Sequence, residues 1–376
     1  MPHFSNTYFD NGSTSWPKPP EVAEAMSDFL LNGGGTYGRA AYGRVYQTSM
    51  MVEECRNEIA NLLGVRESAN VVFTANATQG INSVLSGLEL NDCEVLVSPL
   101  EHNAVMRPLE FLKQTRNVTW KFLPASEDGC IIPQKIPQVI TPKTKLVIIN
   151  HQSNVNGLVQ PVGEVSGFIG DIPLMLDVTQ SLGNTDVKGD LWGADFIAFT
   201  GHKGLLGPTG TGGFYVRRSD DLPPFWRGGT GSRSESFEMP LFAPDKYEAG
   251  THNTVGISGL SAAIANKPES NWTKNHLNEL ITGLKKIKGV RILTADEPDQ
   301  RGSLFSLVYE SLKPSTIARR LYENYHIEIR AGLHCAPQAH RYLSTFPAGA
   351  VRIALSPYHS NEDLESLGMV FRDVLD

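Results

Sequence analysis

The sequence predicts an α/β protein: a large domain on a mostly parallel sheet of seven strands, followed by a smaller α+β domain. Three observations carry this. First, seven short apolar runs follow one another from about residue 70: "NVVFT", "CEVLVSPL", "VTWKFLP", "KLVIINH", "PLMLDV", "DFIAFTGHK" and "GGFYVRR". They lack the alternation of a sheet with one wet face and read as strands buried on both sides. Second, helical patterns such as "TQGINSVLSGLEL" and "HNAVMRPLEFLKQT" separate several of them, and strand–helix–strand repetition builds parallel sheets. Third, the rhythm stops in the polar stretch "RSESFEMPLFAPDKYEAGTHNTVGI".

Along the chain, residues 1–15 form an N-terminal segment expected to pack with the small domain. Residues 16–265 make the large domain, closed by the small-residue helix "SGLSAAIAN". Residues 266–376 make the small domain, with strands "GVRILT", "GSLFSLVYE", "IEIRAG" and "AVRIAL" and helices "PSTIARRLYENY" and "NEDLESLGMVFRDVL". No internal repeat or low-complexity tract interrupts it.

Composition bounds the function. Hydrophobic residues at 40% and charged residues at 19% describe an ordinary globular chain. A net charge of -7 without a Lys/Arg-rich block gives no footprint for nucleic acid. No apolar run reaches the ~20 residues of a membrane span. The opening "MPHFSNTYFDNGS" lacks the parts of a signal peptide, so the expected location is the cytoplasm. The four cysteines, Cys55, Cys93, Cys130 and Cys335, are scattered, with neither a CxxC pair nor a zinc-binding spacing. Cys55, in a helical pattern, and Cys93 and Cys130, at strand entrances, read as packing residues. Cys335, in "RAGLHCAPQAH", sits among polar and turn-forming neighbours.

In parallel sheets ligands bind beyond the carboxyl ends of the strands, and here those ends are polar in concert. "VVFTANATQG" delivers Asn76, Thr78 and Gln79, and "VLVSPLEHN" delivers Glu101 and His102. "LVIINHQSN" delivers Asn150, His151 and Asn154; "LMLDVTQS" delivers Asp177 and Gln180; "FIAFTGHK" delivers Thr200, His202 and Lys203. Each has a plain structural reading when taken singly. Thr78 or Asp177 can cap a helix, His102 can be a satisfied turn histidine, and Lys203 can be a solvated loop lysine. Together they suit one ligand with a phosphate, an aromatic ring and a carbonyl. Helix amides around Ala77, Thr78 and Gly80, with the hydroxyls of Thr78 and Thr200, suit a phosphate. A buried aspartate keeps a pyridine nitrogen protonated, and a lysine in apolar surroundings can lose its proton and form a Schiff base. Those are the requirements of pyridoxal 5'-phosphate, and glycines after the lysine let backbone pass close to it.

"DVTQSLG" followed by "FTGHKGLLGPTGTGGFYV" resembles the class V aminotransferase family of fold-type I pyridoxal enzymes, and the cysteine desulfurases within it. The resemblance runs nearly end to end through "YFDNGSTSWPKP", "FTANATQGIN", "EHNAV", "YEAGTHNT", "RAGLHC" and "VRIALSPYHSNEDLE". It implies that Lys203 carries the cofactor, Asp177 pairs with the pyridine nitrogen, Gln180 with the ring oxygen, and His102 stacks on the ring. Thr78, Thr200 and His202 would hold the phosphate. Thr251 would reach the cofactor phosphate of a second subunit, which implies a homodimer with shared sites. Asn154 and Arg352 would bind the substrate carboxylate; Arg330 is a weaker substrate candidate, suited to ordering the cysteine loop.

In a desulfurase Cys335 attacks the sulfur of bound L-cysteine, leaving alanine and a persulfide that passes to an acceptor protein, for iron–sulfur cluster assembly or thio-modification. His334 is a candidate for proton transfer, and selenocysteine lyase activity could accompany the reaction. "R-x-G-x-H-C" resembles the group II, SufS/Csd-like branch. The short interval from Cys335 to Arg352 implies a loop too short to swing far. Thr200 stands where many relatives carry serine, and "CAPQAHRYL" departs from the commonest group II continuation. Arg39 and Arg44 of the glycine-rich loop are expected at solvent or at a dimer contact. The alternatives are another class V reaction (aminotransferase, or kynureninase-like hydrolase or lyase) in which Cys335 is no nucleophile, and a non-catalytic scaffold.

Overall fold

The computed structural model describes residues 3–38 and 40–375. Two sheets organise it. The larger has seven strands: β1 (Val71–Thr74), β2 (Glu94–Val97), β3 (Thr119–Phe122), β4 (Thr144–Asn150), β5 (Leu174–Asp177), β6 (Phe196–Thr200) and β7 (Gly212–Val216). Their spatial order is β1-β7-β6-β5-β4-β2-β3. The pairs from β3 through β6 are parallel, while β7 runs antiparallel to both β6 and β1. The sheet is therefore mostly parallel, as the continuous apolar runs predict. β4 through β7 are almost wholly buried.

Helices cover both faces: α1 (Pro20–Asp28), α2 (Gly43–Leu63), α3 (Ala77–Gly87), α4 (Asn103–Arg116), the short α5 (Val162–Val165) and α6 (Thr254–Ala265). One core, with Ile59, Leu63, Ile149, Leu176 and Phe199, fills the α2 side. The other, with Ile81, Leu85, Val105, Leu109 and Ile148, fills the side of α3 and α4. The caps are local chemistry. Asn76, extended in backbone, accepts the Gln79 amide at 3.0 Å and starts α3. His102 does the same for α4 through Nδ1 and the Ala104 amide at 3.0 Å. Asn76 thus holds the capping role that the sequence left open to Thr78.

The smaller sheet is antiparallel, ordered β10-β11-β9-β8, from β8 (Val290–Leu293), β9 (Leu304–Tyr309), β10 (Arg330–Gly332) and β11 (Ala350–Ala354). With α7 (Lys274–Lys285), α8 (Pro314–Tyr325) and α10 (Asn361–Leu375) it surrounds a third core holding Phe305, Ile353, Leu367 and Phe371, while α9 (Pro337–Tyr342) packs into a separate cluster. Phe9, fully buried, belongs to this core. The N-terminal segment bridges to Glu328 and Ala354 of the small unit. It also reaches the large sheet, where Ser15 N–H donates to the His202 carbonyl at 2.9 Å and Gln180 donates to the Gly12 carbonyl at 2.8 Å. A fourth cluster, with Leu100, Val155, Leu158, Ala336, Ala339 and Leu343, joins the two units. No helix among the described residues is long and apolar enough to cross a membrane.

Candidate functional site

Strand register decides which side chains meet. Asn150 pairs with Asp177 across β4 and β5, Asp177 with Ala198 across β5 and β6, and Thr200 with Gly212 across β6 and β7. The carboxyl ends of β4, β5 and β6 and the amino end of the antiparallel β7 therefore lie side by side. Gly212 also faces the turn before α3: a Cβ there would sit 2.8 Å from the Asn76 Cα and from the Phe199 carbonyl. The glycine run after Lys203 thus brings the start of α3 against the start of β7. Between them is a cavity of about 230 Å³, lined by Asn76, Ala77, Thr78, His102, Asn154, Asp177, Gln180, Thr200, His202 and Lys203, among others. Nine of the sequence candidates for cofactor and substrate share it.

Burial sets the chemistry of these groups. Loss of solvent lowers the Lys203 ammonium to about 8, assisted by the Arg352 charge and opposed by Asp177. A large fraction of that amine is free base at mildly alkaline pH, as a lysine nucleophile needs. His102 is pushed down to about 4, first by desolvation and then by Lys203. It is neutral at pH 7, and because Nδ1 accepts the Ala104 amide, Nε2 carries the proton. His202 is likewise lowered to about 4 by burial, and its Nδ1 is buried without a partner. Thr200, 4% exposed, donates its hydroxyl to the Thr211 carbonyl at 3.3 Å, which leaves lone pairs free. Asp177 accepts the Thr179 amide at 2.9 Å. Glu101, fully buried behind His102, accepts Ser98 Oγ at 2.7 Å and the Asn150 amide at 2.8 Å. Desolvation raises its carboxyl to about 8, so it stays largely protonated at neutral pH.

Arg352, on β11, is 2% exposed and points inward. It donates to Asp10 Oδ1 and Ser13 Oγ, both at 2.8 Å, and to the Asn154 carbonyl at 3.1 Å, while its Nε is buried without a partner. A Cβ on Gly12 would sit 2.8 Å from the guanidinium carbon, so the N-terminal segment lies flat on this arginine. Arg330 is exposed and pairs with the other Asp10 oxygen at 3.0 Å. Asp10 and Ser13 were not singled out by sequence reasoning. They act across more than 300 positions, and no local pattern announces that.

Cys335 is exposed. It opens on a second cavity of about 420 Å³ that shares Thr78, His102 and Ala104 with the first. Its thiolate would favour the charged form of Lys203, which places the two groups within electrostatic reach. His334 and Cys335 both have left-handed backbone, φ 50° and 54°. Non-glycine residues there cost about 1–2 kcal/mol each, so the turn must be held. Asn154 Nδ2 donates to the His334 carbonyl at 2.7 Å, and the Asn103 amide at the start of α4 donates to the Cys335 carbonyl at 2.9 Å. Thr251 is not in the Lys203 cavity. It is exposed on the rim of a third cavity of about 490 Å³ with Gln79, Glu248 and His252. Arg44 is exposed on α2, and Arg39 lies outside the described residues.

Residues 7–367 match the family model described as aminotransferase class V. The chain belongs to this family. It is 31% identical over 384 residues to the probable cysteine desulfurase of Methanothermobacter thermautotrophicus, covering 98% of this chain and 94% of the relative. Among solved structures it resembles the apo cysteine desulfurase of Thermococcus onnurineus NA1, with TM-score 0.89, 27% identity and coverage of 98% and 94% of the two chains. It also resembles the cysteine desulfurase CsdA of Escherichia coli in its S-sulfonic acid form, with TM-score 0.86, 26% identity and the same coverage. The fold is thus the fold-type I architecture of the pyridoxal phosphate enzymes.

The residues present suit such a cofactor. A buried lysine, an inward aspartate and a neutral imidazole surround one cavity. The backbone amides that open α3 supply anion-binding capacity, and His202 Nδ1 is an unused hydrogen-bonding position in the same wall.

Proposed function

We propose that this protein is a pyridoxal phosphate-dependent cysteine desulfurase that transfers the sulfur of L-cysteine to Cys335. The observation that carries the reading is the pair of adjoining cavities, one at Lys203 and one at Cys335, with His102 in the wall of both. In this reading Lys203 holds the cofactor covalently and moves protons at the substrate carbon. Asp177 holds the ring nitrogen protonated, Gln180 faces the ring oxygen, and His102 covers the ring. Ala77, Thr78, Thr200 and His202 receive the phosphate, completed by Thr251 of a second copy in a homodimer. When bound, the cofactor supplies an electron sink next to the substrate Cα, which weakens the Cβ–S bond.

Arg352 and Asn154 take the substrate carboxylate. The unpartnered Arg352 Nε and Asn154 Oδ1 mark unused hydrogen-bonding capacity there. Arg330 acts on the N-terminal segment through Asp10 rather than on substrate. The Cys335 thiolate forms a bond to the substrate sulfur as the Cβ–S bond breaks. L-cysteine and the Cys335 thiol thus become L-alanine and a Cys335 persulfide, with the Cα proton restored and the proton given up by the thiol balanced by one taken up at Cβ. The turn is short and pinned at two carbonyls, so the persulfide is delivered where it forms, to an acceptor protein that docks at the exposed thiol. Such an enzyme would serve iron–sulfur cluster assembly or thio-modification in the cytoplasm. The working units are residues 16–265 for the cofactor and 266–376 for the cysteine.

The test is direct. The purified protein is mixed with L-cysteine and a thiol reductant, and alanine and sulfide are assayed. Equal amounts of the two are expected. Alanine or pyruvate without sulfide, or no product at all, would overturn the assignment.

A further inference from the structure

Behind Cys335 runs a row of buried polar groups that sulfur transfer itself does not use. His340, in α9, is fully buried; His334 and Thr345 are 8% and 7% exposed. His340 Nδ1 lies 2.7 Å from Thr345 Oγ1, and His340 Nε2 lies 3.2 Å from His334 Nδ1. His334 Nε2 faces the Arg330 carbonyl at a long 3.5 Å. Desolvation lowers His340 to about 4 and His334 to about 2, so both rings are neutral around pH 7. A neutral imidazole has one donor and one acceptor, which gives the row a direction. The Thr345 hydroxyl donates to His340 Nδ1, His340 Nε2–H donates to His334 Nδ1, and His334 Nε2–H faces the Arg330 carbonyl. The reverse direction would set a bare ring nitrogen against that carbonyl oxygen. His334 in this arrangement is no proton donor to the thiol; its ring is occupied.

The row ends on the residue that precedes Cys335, in the turn with two consecutive left-handed residues. We propose that His340 is a positioning residue for Cys335, an inference that rests on the desulfurase reading: through the His334 ring it holds the left-handed turn that aims the thiol at the cavity beside His102. The side of the turn facing the large sheet is secured by Asn154 and Asn103. The side facing the small unit has this pair of rings. α9, which carries His340, is itself anchored by Tyr342 Oη donating to the Ser126 carbonyl at 2.9 Å.

The test compares holoenzyme with His340→Leu, which removes both ring nitrogens, and His340→Gln, which can restore a donor towards His334. Thr345→Val is a milder third variant should the leucine protein fold poorly. Two readouts are taken: kcat and KM for sulfide release, and the rate of Cys335 alkylation by iodoacetamide, followed on its peptide by mass spectrometry. For His340→Leu, kcat falls about tenfold, in line with the sensitivity of rates to sub-ångström misplacement. KM and the cofactor absorption band stay as in the parent, and the alkylation rate changes by about threefold or more. Thr345→Val moves both readouts the same way by less, and His340→Gln returns both towards the parent. Parent-like kcat and alkylation in His340→Leu would overturn the proposal. So would a joint loss of kcat, KM and cofactor band, or a glutamine variant no better than leucine. If the parent itself releases no sulfide, the desulfurase reading fails separately. Alkylation then still decides whether His340 holds the turn.

Discussion

Lys203 and Cys335 meet from scaffolds built in different ways. Lys203 follows β6, an inner strand of the seven-stranded sheet with a partner strand on each side. Its neighbours are placed by backbone register. Cys335 follows a three-residue strand and occupies a left-handed turn held by individual side chains, Asn154, His340 and, through α9, Tyr342. A sheet fixes positions through many cooperative bonds, whereas a latched turn depends on a few bonds worth about 1 kcal/mol each. Substitutions at the first region are therefore expected to act on cofactor retention, and those at the second on the rate of sulfur transfer.

The sharpest contrast is between two truncations. Lys203→Ala should remove sulfide release and the cofactor absorption band together. Cys335→Ser should remove sulfide release equally but leave the band. A serine variant that still released sulfide would collapse the distinction, as would an alanine variant with parental turnover.

Acid should separate the regions less sharply. His102, His151, His202, His340 and His359 are lowered to about 4, chiefly by burial, while His334 goes to about 2. Each group binds its proton more weakly folded than unfolded. Its stability contribution is thus fully present above the unfolded value of 6.5 and is lost as pH falls towards the folded one. Each unit of depression is worth about 1.4 kcal/mol. Glu101, raised to about 8, works in the opposite sense, stabilising as pH drops from 8, but it is one carboxyl against six imidazoles. The six histidines divide evenly between the two units, so acid should weaken both, and the deepest depression, that of His334, falls beside Cys335. Urea midpoints at pH 7.5 and 5, with Cys335 alkylation followed in parallel, would show it. A midpoint unchanged between the two pH values would contradict the burial argument.

The smallest effect is expected from Tyr342→Phe, which deletes the hydroxyl bonded to the Ser126 carbonyl. It should cost about 1 kcal/mol and slow sulfide release slightly, with no change in cofactor binding. A loss of the cofactor band in this variant would show the two regions to be more tightly coupled than their bonds imply.

Much of the first region was legible in the sequence, because a buried parallel strand advertises itself as an apolar run and its polar end is written next to it. Asn150, Asp177 and Lys203 each follow such a run directly. The second region was legible only in part. "RAGLHCAPQAH" marks Cys335 as unusual, but nothing local indicates that His340 bonds His334 or that Asn154 grips the His334 carbonyl from 180 positions away. Asp10, which lies between Arg330 and Arg352, is equally silent, since an aspartate before a turn is commonplace in any sequence.

The sequence by itself determined the fold class, the strand ends that supply the cavity and the distinct character of Cys335, because periodicity, capping and strand-end polarity are short-range properties. The tertiary structure alone decided three further matters: that Arg352 is bonded to the N-terminal segment, that Thr251 lies outside the Lys203 cavity, and that His334 is occupied by His340. Each depends on which distant groups share a desolvated space, and desolvation is a property of the assembled chain.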